Sequence, residues 1–149
     1  MGIKEEIKQN KFTSNIQMAT VNLLYTSNWL RDLQQDVFKK HGILSQHYNI
    51  LRIVNGKHPK IVFPGEIKDV MLDKGRDLTR LIDKLVSLQY LNRQLCELNR
   101  RKVEITITKK GIELISIVNK DLTAKLNKVL KLDENEALLL SDLLDKLRG

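Results

Sequence analysis

A mainly α chain with one small β-wing is predicted by three observations. Apolar residues recur at spacings of three and four along most of the 149 positions, the signature of amphipathic helices. The period drops to two only at residues 91–96 and 103–108, which flank a basic tip and read as two strands of a hairpin. Just before that hairpin lie two short helical patterns separated by the turn residues Asp73-Lys74-Gly75.

The second of those helices, residues 76–87, organises the chain. Leu78, Leu81, Ile82, Leu85 and Leu88 fall on one face; Arg76, Thr79, Arg80, Asp83, Lys84 and Ser87 fall on the other. An apolar back with an Arg/Thr/Lys front suits a helix that packs on a small domain and offers side chains to a DNA groove. The hairpin tip, Asn99-Arg100-Arg101-Lys102, places three cations in a row where arginine reaches phosphate or a minor groove. Helix, turn, helix and basic hairpin in this order read as a winged helix-turn-helix.

The other elements follow in chain order. Residues 1–10 are polar and read as a frayed lead-in. Phe12, Ile16, Ala19, Leu23, Thr26, Leu30, Leu33 and Val37 step by four and three, predicting one helix of about 28 residues, roughly 40 Å long. So long a stripe needs other helices or a second copy of the chain. Gly42, after Lys39-Lys40-His41, stops it. Ser45 is the expected cap of the next helix, with Tyr48, Ile50, Leu51 and Val54 inward, and residues 55–59 read as a turn. Ile61-Val62-Phe63 is a minimal strand that can join the wing sheet. Pro64 suits a helix first turn, and residues 66–72 form the first helix of the pair, with Ile67, Val70 and Met71 inward. After the wing, Thr108 caps a helix over residues 109–132, striped by Ile112, Ile115, Val118, Leu122, Leu126 and Val129. Asp133 caps a last helix to about Leu147, whose leucines cover more than one face and so call for two neighbours.

The net charge is +8 and unevenly spread: +3 over residues 1–56, +6 over 57–110, +2 over 111–132 and −3 over 133–149. The excess sits on the helix pair and hairpin, as expected of a polyanion binder. No apolar run approaches the ~18 residues that span a bilayer, and residues 1–11 lack a signal peptide's apolar stretch. The single cysteine, Cys96, allows no intrachain disulfide, and the chain is read as cytoplasmic. Cys96 is read as a packing strand residue rather than an oxidant sensor. His41, His47 and His58 share no ligand spacing with it or each other, so no metal is expected. No phosphate loop and no nucleophile–base–acid arrangement is present, so neither a cofactor nor enzyme activity is expected.

The sequence resembles the MarR (multiple antibiotic resistance regulator) family over nearly its whole length. The residues that carry the likeness are Leu78-Thr79-Arg80-Leu81-Ile82-Asp83-Lys84-Leu85, Asn99-Arg100-Arg101-Lys102-Val103 and Ile105-Thr106-Ile107-Thr108-Lys109-Lys110-Gly111. The resemblance implies a homodimer whose first and last helices interlock, with two winged domains reading a pseudo-palindromic operator. It implies a transcription regulator, usually a repressor, and in many members release from DNA by a small phenolic ligand or by thiol oxidation. Residues 12–40 and 109–149 would form the dimerisation region and residues 45–108 the DNA-binding region. Arg76, Thr79 and Arg80 would face the major groove and Lys84 the backbone. Arg101 would enter the minor groove, with Arg100 and Lys102 on phosphates or bracing the wing. Asp83 is expected to orient a neighbouring arginine. Tyr25, Trp29 and Tyr48 are candidates to line a cleft for a small aromatic effector. Asn99 stands where the family commonly has Asp, and Gly75 where a helix-capping Ser is usual. The alternative to DNA reading is a winged-helix module for protein–protein assembly.

Overall fold

Seven helices and one hairpin make up the fold, and the computed structural model describes all 149 residues. One turn of helix, Ile3–Glu6 (α1), lies where a frayed lead-in is predicted. Ser14 accepts the Gln17 amide at 3.1 Å and opens Asn15–Lys40 (α2), so the long helix begins at Asn15 rather than Phe12. Ser45–Lys57 (α3), Pro64–Val70 (α4) and Leu78–Ser87 (α5) follow. Then come strands Leu91–Leu95 (β1) and Val103–Ile107 (β2), and finally Lys109–Val129 (α6) and Glu134–Arg148 (α7).

The strands pair antiparallel, Leu91 opposite Ile107 and Leu95 opposite Val103. Val62 adds a third rung, as its sequence leads one to expect. Its N–H donates to the Ile105 carbonyl at 2.9 Å, and the Ile105 N–H returns a bond of 2.8 Å. Fully buried side chains come from α3 (Ile50, Leu51, Val54), the bridge (Val62), α4 (Ile67), α5 (Leu85), the strands (Leu91, Ile105) and α6 (Val118). Each stabilises the fold by about 1.5–3 kcal/mol relative to exposure. The core therefore lies directly behind α5 and the hairpin and gives them a rigid backing.

Three details differ from the sequence reading. Ser45 is the first residue inside α3, not its cap; Leu44 occupies the cap position, and the His47 ring accepts its N–H at Nδ1, 2.9 Å away. The turn expected at residues 55–59 starts later, because α3 continues through Gly56 to Lys57. Ile67 in α4 and Met71, the residue that ends it, point inward four residues apart, whereas Val70 is exposed. At the other end of the molecule, α2 buries only Val37 and Phe38, and α7 buries nothing. Ile16, Leu24, Leu138, Leu139, Leu143 and Leu147 are all more than half exposed.

The ends of α2 and α5 share one motif. In α2, the Gly42 N–H bonds to the Lys39 carbonyl (3.0 Å) and the Ile43 N–H to Phe38 (3.1 Å), with Gly42 at φ +69°. In α5, the Gln89 N–H bonds to Val86 (2.9 Å) and the Tyr90 N–H to Leu85 (2.9 Å), with Gln89 at φ +64°. This paired closure favours glycine at the left-handed position, where a Cβ meets the following carbonyl. Gln89→Gly is therefore expected to raise unfolding free energy by about 0.5–1 kcal/mol, after the larger chain entropy of unfolded glycine is subtracted. Urea denaturation checks this; a lower midpoint would mean that the glutamine side chain stabilises more than its backbone costs.

The start of α6 finishes that corner. The Thr108 hydroxyl accepts the Gly111 N–H (3.0 Å) and donates to the Gln89 carbonyl (2.7 Å). Lys110 Nζ donates to the Leu88 carbonyl at 3.1 Å and lies 5.0 Å from the Tyr90 ring centre. A cation on the last carbonyls of α5 is favourably placed for the helix dipole.

Candidate nucleic-acid interface

Leu81, Ile82 and Leu85 bury the back of α5, while Thr79, Arg80, Asp83, Lys84 and Ser87 are exposed on its front. The helix starts at Leu78, so Arg76 belongs to the turn before it and not to the helix. The cap is Asp77, whose Oδ1 accepts the Arg80 N–H at 3.3 Å, and not Gly75. An aspartate is the better cap because its oxygen fills an orphan helix N–H, which glycine cannot do. The Gly75 amide is used differently: it donates to Asp73 Oδ1 at 3.1 Å and tightens the turn.

Acidic partners hold the arginines of this unit. Arg76 Nε lies 3.8 Å from Asp73 Oδ2, and Arg80 Nε lies 3.7 Å from Asp77 Oδ2. Asp73 also accepts from Gln46 Nε2 at 3.1 Å; that bond first, then the Gly75 amide, holds its carboxyl below the usual range. Asp83 forms a hydrogen-bonded ion pair with Arg93 of β1, so a carboxylate on the exposed front of α5 ties the helix to the wing. These acidic partners of Arg76 and Arg80 escaped the sequence reading. The signal was present in the i,i+3 spacing of Asp73–Arg76 and Asp77–Arg80.

The wing tip is closed by Asn99. Its Oδ1 accepts the Arg101 N–H at 3.1 Å and its carbonyl accepts the Lys102 N–H at 2.9 Å. An amide oxygen thus braces the turn through the backbone, without the ionic partner an aspartate would supply. Lys102 Nζ sits 5.2 Å from the centre of the Phe63 ring, which places it at the wing stem. Arg100 and Arg101 are exposed and meet no carboxylate within 4 Å.

Behind this face, His47 is the one buried polar side chain, 5% exposed. Burial, and then the charge of Lys84 on α5, push its pKa below the ordinary histidine value. Its Nδ1 must also be unprotonated to accept the Leu44 N–H. Folding therefore favours neutral His47, and unfolding takes up a proton. Its stabilisation is complete above the unfolded pKa of about 6.5 and is lost as pH falls below that value. Urea unfolding is expected to show stability declining as pH falls below about 6.5, with the decline flattened in His47→Asn. The buttress of α2 on α6 titrates in a different window. Asp121, hydrogen-bonded to His41 at 3.1 Å, has its pKa lowered chiefly by that bond. Its contribution is present above the normal aspartate range and is lost only in stronger acid.

The three aromatics proposed for a cleft do not meet. Tyr25 and Trp29, about two-fifths exposed, line a cavity of about 470 Å³ with Ile3, Glu6 and Asn22. The Tyr25 hydroxyl donates to the Glu6 carboxylate at 3.0 Å, which raises its pKa. Tyr48 packs instead on Phe38, ring centres 5.4 Å apart, because α3 turns it toward the end of α2. Cys96 is partly buried just after β1, and its N–H donates to the Lys102 carbonyl at 2.9 Å.

This architecture coincides with several solved structures. A MarR transcription factor from Planctomyces limnophilus superposes with a TM-score of 0.70 at 25% identity, over 93% of this chain and 96% of that one. The fold is the MarR-family fold. A MarR-like regulator from Bacillus cereus reaches a TM-score of 0.78 at 17% identity, covering 90% of this chain and 96% of that one. A mutant E. coli MarR complexed with operator DNA reaches 0.72 at 24% identity, covering 93% and 100%. These MarR neighbours are transcription regulators, not enzymes. No protein-family model and no curated protein matches the sequence itself.

Proposed function

We propose that the chain is a sequence-specific DNA-binding transcription regulator that acts as a homodimer and represses by covering a promoter. One observation carries this reading: the exposed front of α5 is tied by Asp83–Arg93 to a wing whose tip arginines are unpaired. That arrangement offers a helix for the major groove and free guanidinium groups for phosphate or the minor groove. Thr79, Arg80 and Lys84 act from α5, Arg76 from the turn, and Arg100 and Arg101 from the wing, with Lys102 bracing its stem. The uncovered apolar stripes of α2 and α7 support a second copy as partner, with residues 12–40 and 109–149 as the dimer base and residues 45–108 as the reading head. A small aromatic effector would use Tyr25 and Trp29 without Tyr48, and would act only through different affinities for two spacings of the heads.

Selection from a random duplex library tests the reading. Enrichment of a pseudo-palindrome whose half-sites lie about one helical turn apart, roughly 34–36 Å, is expected. Recovery of unrelated sequences would contradict it.

A further inference from the structure

The arginines of the helix-turn-helix lie beside carboxylates, and the two arginines of the wing tip do not. Arg76 and Arg80 both meet their partner through Nε, at 3.8 and 3.7 Å. That contact sets a carboxylate beside the inner nitrogen, at ion-pair rather than hydrogen-bond distance, and leaves the two terminal nitrogens of each guanidinium facing outward to partners. We infer that Asp73 and Asp77 are specificity-determining residues: they aim Arg76 and Arg80 at base edges while making phosphate a poor partner for them. The inference rests on the DNA-reading role proposed above.

A guanine edge takes an arginine by its terminal fork, through O6 and N7, and is uncharged. A carboxylate beside Nε is compatible with that geometry and biases the guanidinium toward it by charge. A phosphate is an anion, and it would have to settle beside a second anion already in contact with the same side chain. The carboxylates thus discriminate against the contact that dominates non-specific binding. Both are fixed independently of DNA. Asp77 spends its other oxygen on the α5 cap, and Asp73 is held by the Gly75 amide and Gln46. The unpaired Arg100 and Arg101 have no such filter and supply sequence-independent attraction. Affinity and discrimination are thereby divided between the wing and the helix-turn-helix.

The test compares wild type with Asp73→Asn, Asp77→Asn and the double variant by fluorescence anisotropy. The probes are the duplex enriched from the library and a scrambled duplex of equal length. Asparagine keeps the cap and turn hydrogen bonds, and Asp77→Ser is a second uncharged cap. Each single variant is expected to bind the scrambled duplex about three- to fivefold more tightly, and the double variant roughly tenfold, with a steeper salt dependence. Binding to the enriched duplex gains less, so the specificity ratio falls. Variants that melt with the wild type and keep its ratio, or weaken on both duplexes alike, overturn the inference alone. A wild type that prefers no sequence overturns the DNA-reading role and the inference with it.

Discussion

Alanine at position 111 is expected to destabilise the protein by about 3 kcal/mol or more, lowering Tm by roughly 6–12 °C. A Cβ on Gly111 would lie 2.3 Å from the Tyr90 carbonyl oxygen and 2.8 Å from Ile107 Cγ1. The first obstacle is backbone, and that oxygen already accepts the Thr108 N–H at 3.1 Å, so it cannot withdraw without loss. The ~1 kcal/mol that alanine gains over glycine in a helix is too small to compensate. Gly56, late in α3, has nothing within 4 Å of its Cβ position, so Gly56→Ala is expected to stabilise by up to about 1 kcal/mol. Thermal and urea unfolding of the two variants should therefore move in opposite directions. Equal small effects would mean that the α5–β1–α6 corner is looser than its geometry indicates. Because that corner anchors the end of α5, Gly111→Ala should weaken DNA binding only through loss of folded protein.

Arg101→Ala is expected to behave in the opposite way, with full stability and defective binding. Its side chain is exposed and unpaired; only its backbone N–H serves the wing turn, and alanine retains that. Unfolding free energy should stay within about 0.5 kcal/mol of wild type. Binding to the enriched duplex should weaken by roughly 1–3 kcal/mol per wing, about five- to 150-fold. Anisotropy titrations beside denaturation curves separate the two effects. Wild-type affinity in Arg101→Ala would remove the wing from the interface.

Much of the fold was legible because local pattern and tertiary packing agree. The apolar back of α5 is buried at Leu81, Ile82 and Leu85, and Ile105 and Ile107 share the buried face of the wing. Val62 could be placed against the wing because a three-residue apolar run before Pro64 has few other uses. Thr108 and Asp133 cap their helices as their position before apolar periodicity indicates. The misses arise where two local rules compete or where contact is distant in sequence. Arg76 looked helical because it lies one turn before Arg80, but Asp77 between them is the stronger start signal. Gly56 looked like a turn, yet α3 tolerates it. Tyr48 was grouped with Tyr25 and Trp29 by chemistry alone, whereas its packing on Phe38 depends on how α3 returns against α2. The carboxylate partners of Arg76 and Arg80 were hidden for another reason. A basic-patch view of a DNA-binding surface counts cations and treats neighbouring acids as noise.

The most direct measurement is fluorescence anisotropy of the purified chain at physiological salt, comparing the library-enriched duplex with a scrambled duplex of equal length. Sequence-specific reading by α5 and the wing predicts binding at least ~10³-fold tighter to the enriched duplex. Equal, weak binding to both would contradict it and leave the winged helix to a protein partner.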